Sequence, residues 1–197
     1  DLIHPIGAEG WNNGHYDLPF WAFVNWLSHG FTSDYHAALG WAISQCTAGF
    51  VWAGPNKGRH RQEKGYDYVG SYLEASAQDD CAVEKSWFRP AVLAWHVTGM
   101  PIFKWVCELG RDYLRSLPAA WWDGQWGARR PGRILDNMLV LQQGMGFPMG
   151  DKAAPFIRHV LTHIDPVKGY WVNKGSPVTS SPWMNAELLH AIKQWVD

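Results

Sequence analysis

The most constraining feature of this sequence is an alternation of short turns and long connectors between helical segments. Apolar residues recur at helical spacing over about 18–30, 33–49, 90–98, 101–117, 133–143, 152–164 and from Pro182 onward. The links within a predicted pair of helices are short, at about 30–33, 99–101 and 144–151. The links between pairs are long, at about 50–85, 118–132 and 165–181. The pattern predicts an all-α chain of antiparallel helical hairpins.

This alternation also predicts where a ligand site lies. If the helices of each pair are antiparallel, every hairpin returns the chain to the side where it began. The long connectors and the opening segment then gather on one rim. Long connectors without regular structure are usually functional in a compact domain. We therefore expect a single domain, residues 1–197, with its site on this rim.

The first predicted helix begins near Leu18, with Pro19 in its first turn, where the missing N–H costs nothing. Its residues are apolar nearly all round, which predicts a buried helix. Asp17 directly precedes this helix. Its carboxylate is expected either to cap the helix or to face the rim.

Tryptophan is the compositional signature of the chain, with 14 among 197 residues. Trp121, Trp122 and Trp126 lie in the connector PAAWWDGQWGARRPG, whose glycines and prolines make it a poor place to bury large rings. Sugar rings stack their C–H faces on indole and need polar partners beside it. We therefore predict a carbohydrate cleft, to which the segments GWNNGHYD, GRHRQEKGYDY and GYWVNKG also contribute.

Charge and composition argue against several other classes of protein: nucleic-acid-binding, membrane-spanning, zinc-binding and disulfide-rich. The net charge of −1 argues against nucleic acid as a partner, because phosphate backbones are bound mainly through lysine and arginine. No apolar stretch is long enough to span a membrane. Cys46, Cys81 and Cys107 are far apart and predict neither a zinc site nor a disulfide framework. The chain begins at Asp1 without a signal peptide, so we expect a processed product or a fragment of a larger chain.

Four segments resemble bacterial (α/α)-toroid domains of the exo-rhamnogalacturonan-lyase type. They are GWNNGHYDLPFWAFVNWL, HRQEKGYDYVG, EKSWFRPAVLAWHVTGM and SPWMNAELLHAI. Polysaccharide lyases and six-hairpin glycosidases share the toroid architecture. The resemblance implies an incomplete (α/α) toroid, an oligo- or polysaccharide substrate and a secreted or periplasmic location.

One motif of this resemblance contains clear departures. In the related domains a helix begins with His-x-Trp-x-Glu-Gly and ends in Thr-Gly-Asp. Trp87 matches the tryptophan, whereas Lys85, Arg89 and Met100 stand where those domains have His, Glu and Asp. These departures favour a second hypothesis, in which the chain is a glycan-binding domain without catalytic activity.

The rim offers the residue types that β-elimination on a uronate requires. The reaction needs a group that neutralises the carboxylate, a base for the C5 proton and an acid for the leaving oxygen. The predicted base and acid are Tyr16 or Tyr66 with His15 or His60, and the predicted neutralising groups are Arg61 and Arg129. The predicted substrate-binding residues are Trp11, Asn13, Asp17, Trp87, Trp121, Trp122, Trp126 and Arg130. We therefore predict a polysaccharide lyase that acts on an acidic glycan.

Hydrolysis is the alternative chemistry. It requires two carboxylates roughly 5 to 9 Å apart. Asp79 and Asp80 form the most suggestive pair on the rim, and Asp80 is the catalytic candidate for this reaction. The same acids would also complement a helix dipole.

Metal binding has little support in the sequence. His159 and His163 have i,i+4 spacing, but no glutamate follows the first histidine and no third ligand is evident. No EF-hand spacing is present. We expect no cofactor, with calcium bridging a uronate as the one ion that stays open.

Overall fold

The computed structural model describes residues 17–47, 49–54, 57–60, 87–119, 128–169 and 182–196. Seven helices are described: α1 (Leu18–His29), α2 (Thr32–Thr47), α3 (Arg89–Thr98), α4 (Pro101–Ser116), α5 (Arg129–Met145), α6 (Gly150–Leu161) and α7 (Pro182–Val196). The described residues contain no β-strand, and an isolated antiparallel bridge joins Phe50 and His60. The prediction of an all-α chain is confirmed.

The chain divides into two compact units, residues 1–113 and 114–197. Helices α1 to α3 and most of α4 belong to the first unit, and α5 to α7 belong to the second. The ring of an (α/α) toroid remains a prediction, as does the single domain over 1–197.

In the first unit, α1 and α2 form a helical hairpin. Pro19 lies in the first turn of α1, as expected, and Gly30 ends the helix with φ 73°. The Gly30 N–H donates to the carbonyl of Trp26 at 2.7 Å. Only Gly30 and Phe31 separate the helices, and α1 packs against α2. A link this short between packed helices reverses the chain direction.

The prediction that α1 is buried on nearly all sides is wrong. Phe23 is fully buried, but the side chains of Trp21 and Leu27 are 58% and 61% exposed. The described partners of α1 are α2 and α3. Two neighbours cover only part of a helix surface, so the remaining apolar face of α1 meets solvent.

The prediction that α3 and α4 form a second hairpin is supported by two contacts between neighbouring positions of the pair. Near the link, the Lys104 ammonium of α4 lies over the Trp95 ring of α3, at 5.9 Å from its centroid. Farther from the link, Phe88, which directly precedes α3, reaches the middle of α4, and α3 also packs against α1 and α2. Gly58 lies against Leu109 and Tyr113, and the ring of Phe88 lies against Gly110.

The beginnings of α1 and α3 lie next to each other. The Arg89 guanidinium, at the start of α3, lies over the Phe20 ring in the first turn of α1, at 5.3 Å from its centroid. The chain therefore enters these two helices at the same end of the first unit.

In the second unit, α5 begins at Arg129 rather than at the predicted Arg133. Pro131 falls in the first turn, where proline fits a helix. Gly132 lies within the helix, and because it has no side chain, α7 can approach α5 closely at this position. A Cβ at this position would lie 3.0 Å from the Leu188 Cα.

Helices α5 and α7 run side by side in the same direction. Gly132, near the start of α5, faces Leu188 in the first half of α7. Further along, the Trp195 indole Nε1–H donates to the carbonyl of Leu135 at 2.9 Å. Since contacts advance together along both helices, α5 and α7 are parallel, with their starts at one end of the unit.

Helix α6 packs against α5 after a short turn. Gly146 ends α5 with φ 71°, and the Gln142 Oε1 accepts the Met149 N–H at 3.0 Å. Arg115 adds an exposed bidentate ion pair with Asp151, at 2.7 and 2.8 Å.

No helix among the described residues is both long and apolar enough to cross a membrane.

We expect Gly110→Ala to destabilise the first unit, because the new Cβ would overlap the Phe88 ring. Overpacking of this kind costs about 1–3 kcal/mol. Gly40→Ala is the matched control, since a Cβ on Gly40 of α2 meets no atom within 4 Å. That change should stabilise the helix by about 0.5–1 kcal/mol. Urea unfolding measures both, and equal effects of the two changes would contradict the packing described for Phe88.

Candidate functional site

Asp17 stands where the opening segment meets α1 and has an unusual backbone conformation. It is buried and left-handed, with φ 53° and ψ 45°. Within the described part of the chain it is the one non-glycine residue with positive φ. This conformation costs roughly 1–2 kcal/mol, and such strain is often found at functional sites. The Asp17 side chain makes no capping hydrogen bond to α1, so the expected N-cap is not formed.

Trp87 lies just before α3 and is also buried. Because Arg89 places the start of α3 beside Phe20, Trp87 and Asp17 precede two helices that begin side by side. The structure therefore brings two predicted substrate-binding residues to the same end of the first unit.

His60 is packed among aromatic rings in the first unit. Its ring centroid lies 5.3 Å from that of Phe50 and 5.0 Å from that of Phe88, both in edge-on geometry. Its Nδ1 has no hydrogen-bond partner among the described residues. Burial lowers the pKa of His60 to about 3, because apolar rings do not solvate an imidazolium. A role in proton transfer stays a prediction, and this environment favours a packing role.

Buried charged groups lie where α5 meets α7. We call Arg133, Asp136 and Glu187 the Arg133 cluster. Arg133 Nη1 donates to Asp136 Oδ2 at 3.3 Å, and Nη2 donates to Glu187 Oε1. The side chains of Arg133 and Asp136 are each 7% exposed, whereas that of Glu187 is 22% exposed. One guanidinium therefore joins two carboxylates from different helices.

Two further polar side chains, Arg130 and Asn137, are buried on α5. Arg130, Arg133 and Asn137 are three and four residues apart, so they share one face of the helix. Buried polar residues are more informative than buried apolar ones, because burying them is costly. Of these residues, Arg130 was predicted to bind substrate.

None of the three members of the Arg133 cluster was predicted from the sequence. Arg133 and Asp136 have i,i+3 spacing within the mostly apolar segment RILDNMLV, and this signal would have identified them. Glu187 carries no comparable signal, because its partner lies on another helix.

Most of the other predicted site residues fall outside the described residues. These are Trp11, Asn13, His15, Tyr16, Arg61, Tyr66, Asp80, Trp121, Trp122 and Trp126. Arg129 is the first residue of α5. The roles assigned to all of them stay predictions.

His159 lies in the last turn of α6 and His163 lies just after the helix, with ring centroids 5.4 Å apart. His163 is buried. No group of three or more residues able to hold a metal ion occurs in the described part of the chain.

Comparisons with protein-family models, with curated proteins and with solved structures found no match. The structure itself therefore defines the class: an all-α protein with buried polar groups close to the beginnings of neighbouring helices.

The low pKa of His60 predicts a pH dependence of stability. The folded state keeps His60 neutral down to about pH 3, whereas an unfolded histidine takes up a proton below about pH 6.5. Between these values only the unfolded state gains the proton. His60 should thus lower the free energy of unfolding as pH falls, by up to about 1.4 kcal/mol per pH unit.

Chemical unfolding at pH values from 7 to 4 tests this prediction. His60→Phe should show a shallower loss of stability on acidification than the unmodified chain. His36→Phe, which changes an exposed histidine of α2, should keep the original slope. Equal slopes for all three proteins would contradict a buried neutral His60.

The Arg133 cluster predicts strong energetic coupling between α5 and α7. In a double-mutant cycle with Arg133→Met and Glu187→Gln, we expect a coupling of about 2 kcal/mol or more, because removal of one partner leaves a buried charge. The exposed pair Arg115 and Asp151 is the control. A cycle with Arg115→Met and Asp151→Asn should show much weaker coupling, since water screens both groups. Urea unfolding measures both cycles, and similar couplings would contradict the burial of the Arg133 cluster.

Proposed function

We propose that this chain processes a uronate-containing glycan by β-elimination. The observation that carries the proposal is the parallel packing of α5 and α7, which brings the starts of both helices to one end of the second unit. Arg130 and Arg133 lie near that end. The segment with Trp121, Trp122 and Trp126 leads directly into α5. A binding site for an acidic glycan needs both groups: indole rings stack on the sugar rings, and guanidinium groups bind the carboxylates.

The proposed reaction breaks the bond between C4 and its glycosidic oxygen. A base removes the C5 proton, the electron pair forms a C4=C5 double bond, and an acid protonates the departing oxygen. The C5 proton becomes acidic enough only when the neighbouring carboxylate is neutralised, for which guanidinium groups are well suited. Arg61 and Arg129 are the proposed neutralising groups. Tyr16 or Tyr66, with His15, are the proposed base and acid. His60 is the second choice for the histidine, because aromatic rings enclose it.

The proposed architecture is an incomplete (α/α) toroid whose connectors form the glycan site. The adjacent starts of α1 and α3 support this arrangement in the first unit. The parallel α5 and α7 support it in the second. In both cases the chain enters neighbouring helices from the same side, as successive hairpins in a ring require.

Hydrolysis is a second candidate, favoured by Asp136 and Glu187. Both carboxylates bind terminal nitrogens of one guanidinium. They are therefore no further apart than the roughly 9 Å that separates the acid pair of an inverting glycosidase. The same two groups are, however, already engaged by Arg133, which leaves elimination as the first proposal.

A panel of pectic and glycosaminoglycan polymers separates these functions. Elimination produces unsaturated uronates, so ultraviolet absorbance should rise together with the number of reducing ends. New reducing ends without that absorbance would identify hydrolysis. Quenching of tryptophan fluorescence by oligosaccharides without turnover would identify a non-catalytic binding domain.

Arg129→Ala should abolish elimination, because the uronate carboxylate would keep its charge and the C5 proton would stay unreactive. Arg158→Ala is the matched control, since Arg158 is exposed on α6 in the same unit. We expect it to retain the full rate. Initial rates from ultraviolet absorbance measure both variants, and an unchanged rate for Arg129→Ala would remove Arg129 from the mechanism.

A further inference from the structure

We propose that Arg133 is a further carboxylate-binding group of the glycan site, in addition to Arg61 and Arg129, and that Glu187 occupies it when no glycan is bound. In this inference, which rests on the proposed function, the Glu187 carboxylate is an internal substitute for the carboxylate of a uronate. An acidic glycan would displace Glu187 and take its place on the guanidinium.

The two carboxylates of the Arg133 cluster differ in how firmly they are held. Asp136 lies on the same helix as Arg133, at i+3, and is as deeply buried as the guanidinium. Glu187 comes from α7, and its side chain is about three times as exposed. Asp136 is thus the fixed partner that orients Arg133. Glu187 is the partner that solvent, and therefore a ligand, can reach.

Exchange of one carboxylate for another avoids the main cost of opening a buried ion pair. A buried guanidinium that loses a partner pays a large desolvation penalty. A uronate restores the lost pair with the same charge and the same planar geometry, which suits arginine better than lysine. Glu187, in turn, moves into water from a position that is already partly exposed.

The backbone around the cluster keeps the guanidinium in place during such an exchange. Gly132 precedes Arg133 and lies against the backbone of Leu188, next to Glu187. This close approach fixes the spacing of α5 and α7 at the level of the ion pair. The position also lies one turn into α5, directly after the tryptophan-rich segment.

The inference is tested by the affinity of the intact chain for the linear trimer of galacturonate, with maltotriose as the uncharged comparison. Glu187→Gln removes the internal competitor and keeps the side-chain shape. We expect its Kd for the uronate trimer to fall about tenfold, with no change for maltotriose. Arg133→Met should lose uronate binding.

Asp151→Asn is the matched control, since it also removes a carboxylate from an arginine pair in the same unit and changes the net charge equally. We expect its Kd to equal that of the unmodified chain. An unchanged or higher Kd for Glu187→Gln would overturn the inference. So would an equal gain in affinity for Asp151→Asn, because net charge alone would then explain it.

Glu187→Asp keeps the experiment decisive if Glu187→Gln fails to fold. It retains the charge but shortens the side chain, so the pair with Arg133 weakens and the uronate trimer should bind more tightly than to the unmodified chain. An unchanged Kd would overturn the inference.

The proposed function and this inference fail in different ways. Elimination by the unmodified chain without tighter binding by the Glu187 variants contradicts only the inference. Tighter binding without elimination in any variant contradicts only the proposed function. Absence of uronate binding in every protein contradicts the inference directly.

Discussion

The ion pair of Arg133 with Asp136 and Glu187 is the interaction on which the interpretation of the second unit depends. It ties the second turn of α5 to the second turn of α7. Buried charges are rarely the most stable solution, because apolar residues of similar volume often stabilise a core as well or better. Gly132 already provides a close helix contact beside it. The cluster therefore fixes which helices pair more than it adds to net stability, and its role in binding a charged group is our proposal.

The two units share one organisational feature. In each of them, two helices that are separated in sequence by a helix and a long connector start on the same side: α1 with α3 and α5 with α7. Polar residues accompany both pairs of helix starts. In the first unit these are Asp17, with its strained backbone, and Arg89 on an aromatic ring. In the second they are the buried residues of α5 and Glu187 of α7.

Much of the helical structure could be predicted from the sequence, because apolar periodicity, proline and glycine act locally. Pro19 and Gly30 marked the ends of α1 correctly. Periodicity did not reveal which neighbours a helix has. An apolar α1 therefore suggested complete burial, although its described neighbours cover only part of it. The short link at Gly99 and Met100 did indicate a hairpin, which the contact of Lys104 with the Trp95 ring supports, but it did not reveal that α3 also packs against α1 and α2.

The candidate site was less predictable than the helices. The connectors, where tryptophan and arginine are conspicuous, supplied most of the candidates. Arg130 was among them, and its role in substrate binding stays a prediction, whereas Arg133 was not singled out. A charged residue within a mostly apolar helix is informative only once its burial is known. Glu187 lies 54 positions from Arg133, and no local pattern connects residues so far apart. Contacts between distant helices are set by tertiary packing, which the spacing of residues along one helix does not encode.

The central claim is that a uronate glycan binds where α5 and α7 begin. Photo-crosslinking tests it most directly, with a galacturonate oligosaccharide that carries a diazirine and with peptide mapping by mass spectrometry. Labelling should fall on residues 128–137 and 182–188, and an excess of unlabelled galacturonate trimer should suppress it. Labelling confined to other segments, or labelling that the trimer fails to suppress, would contradict the claim.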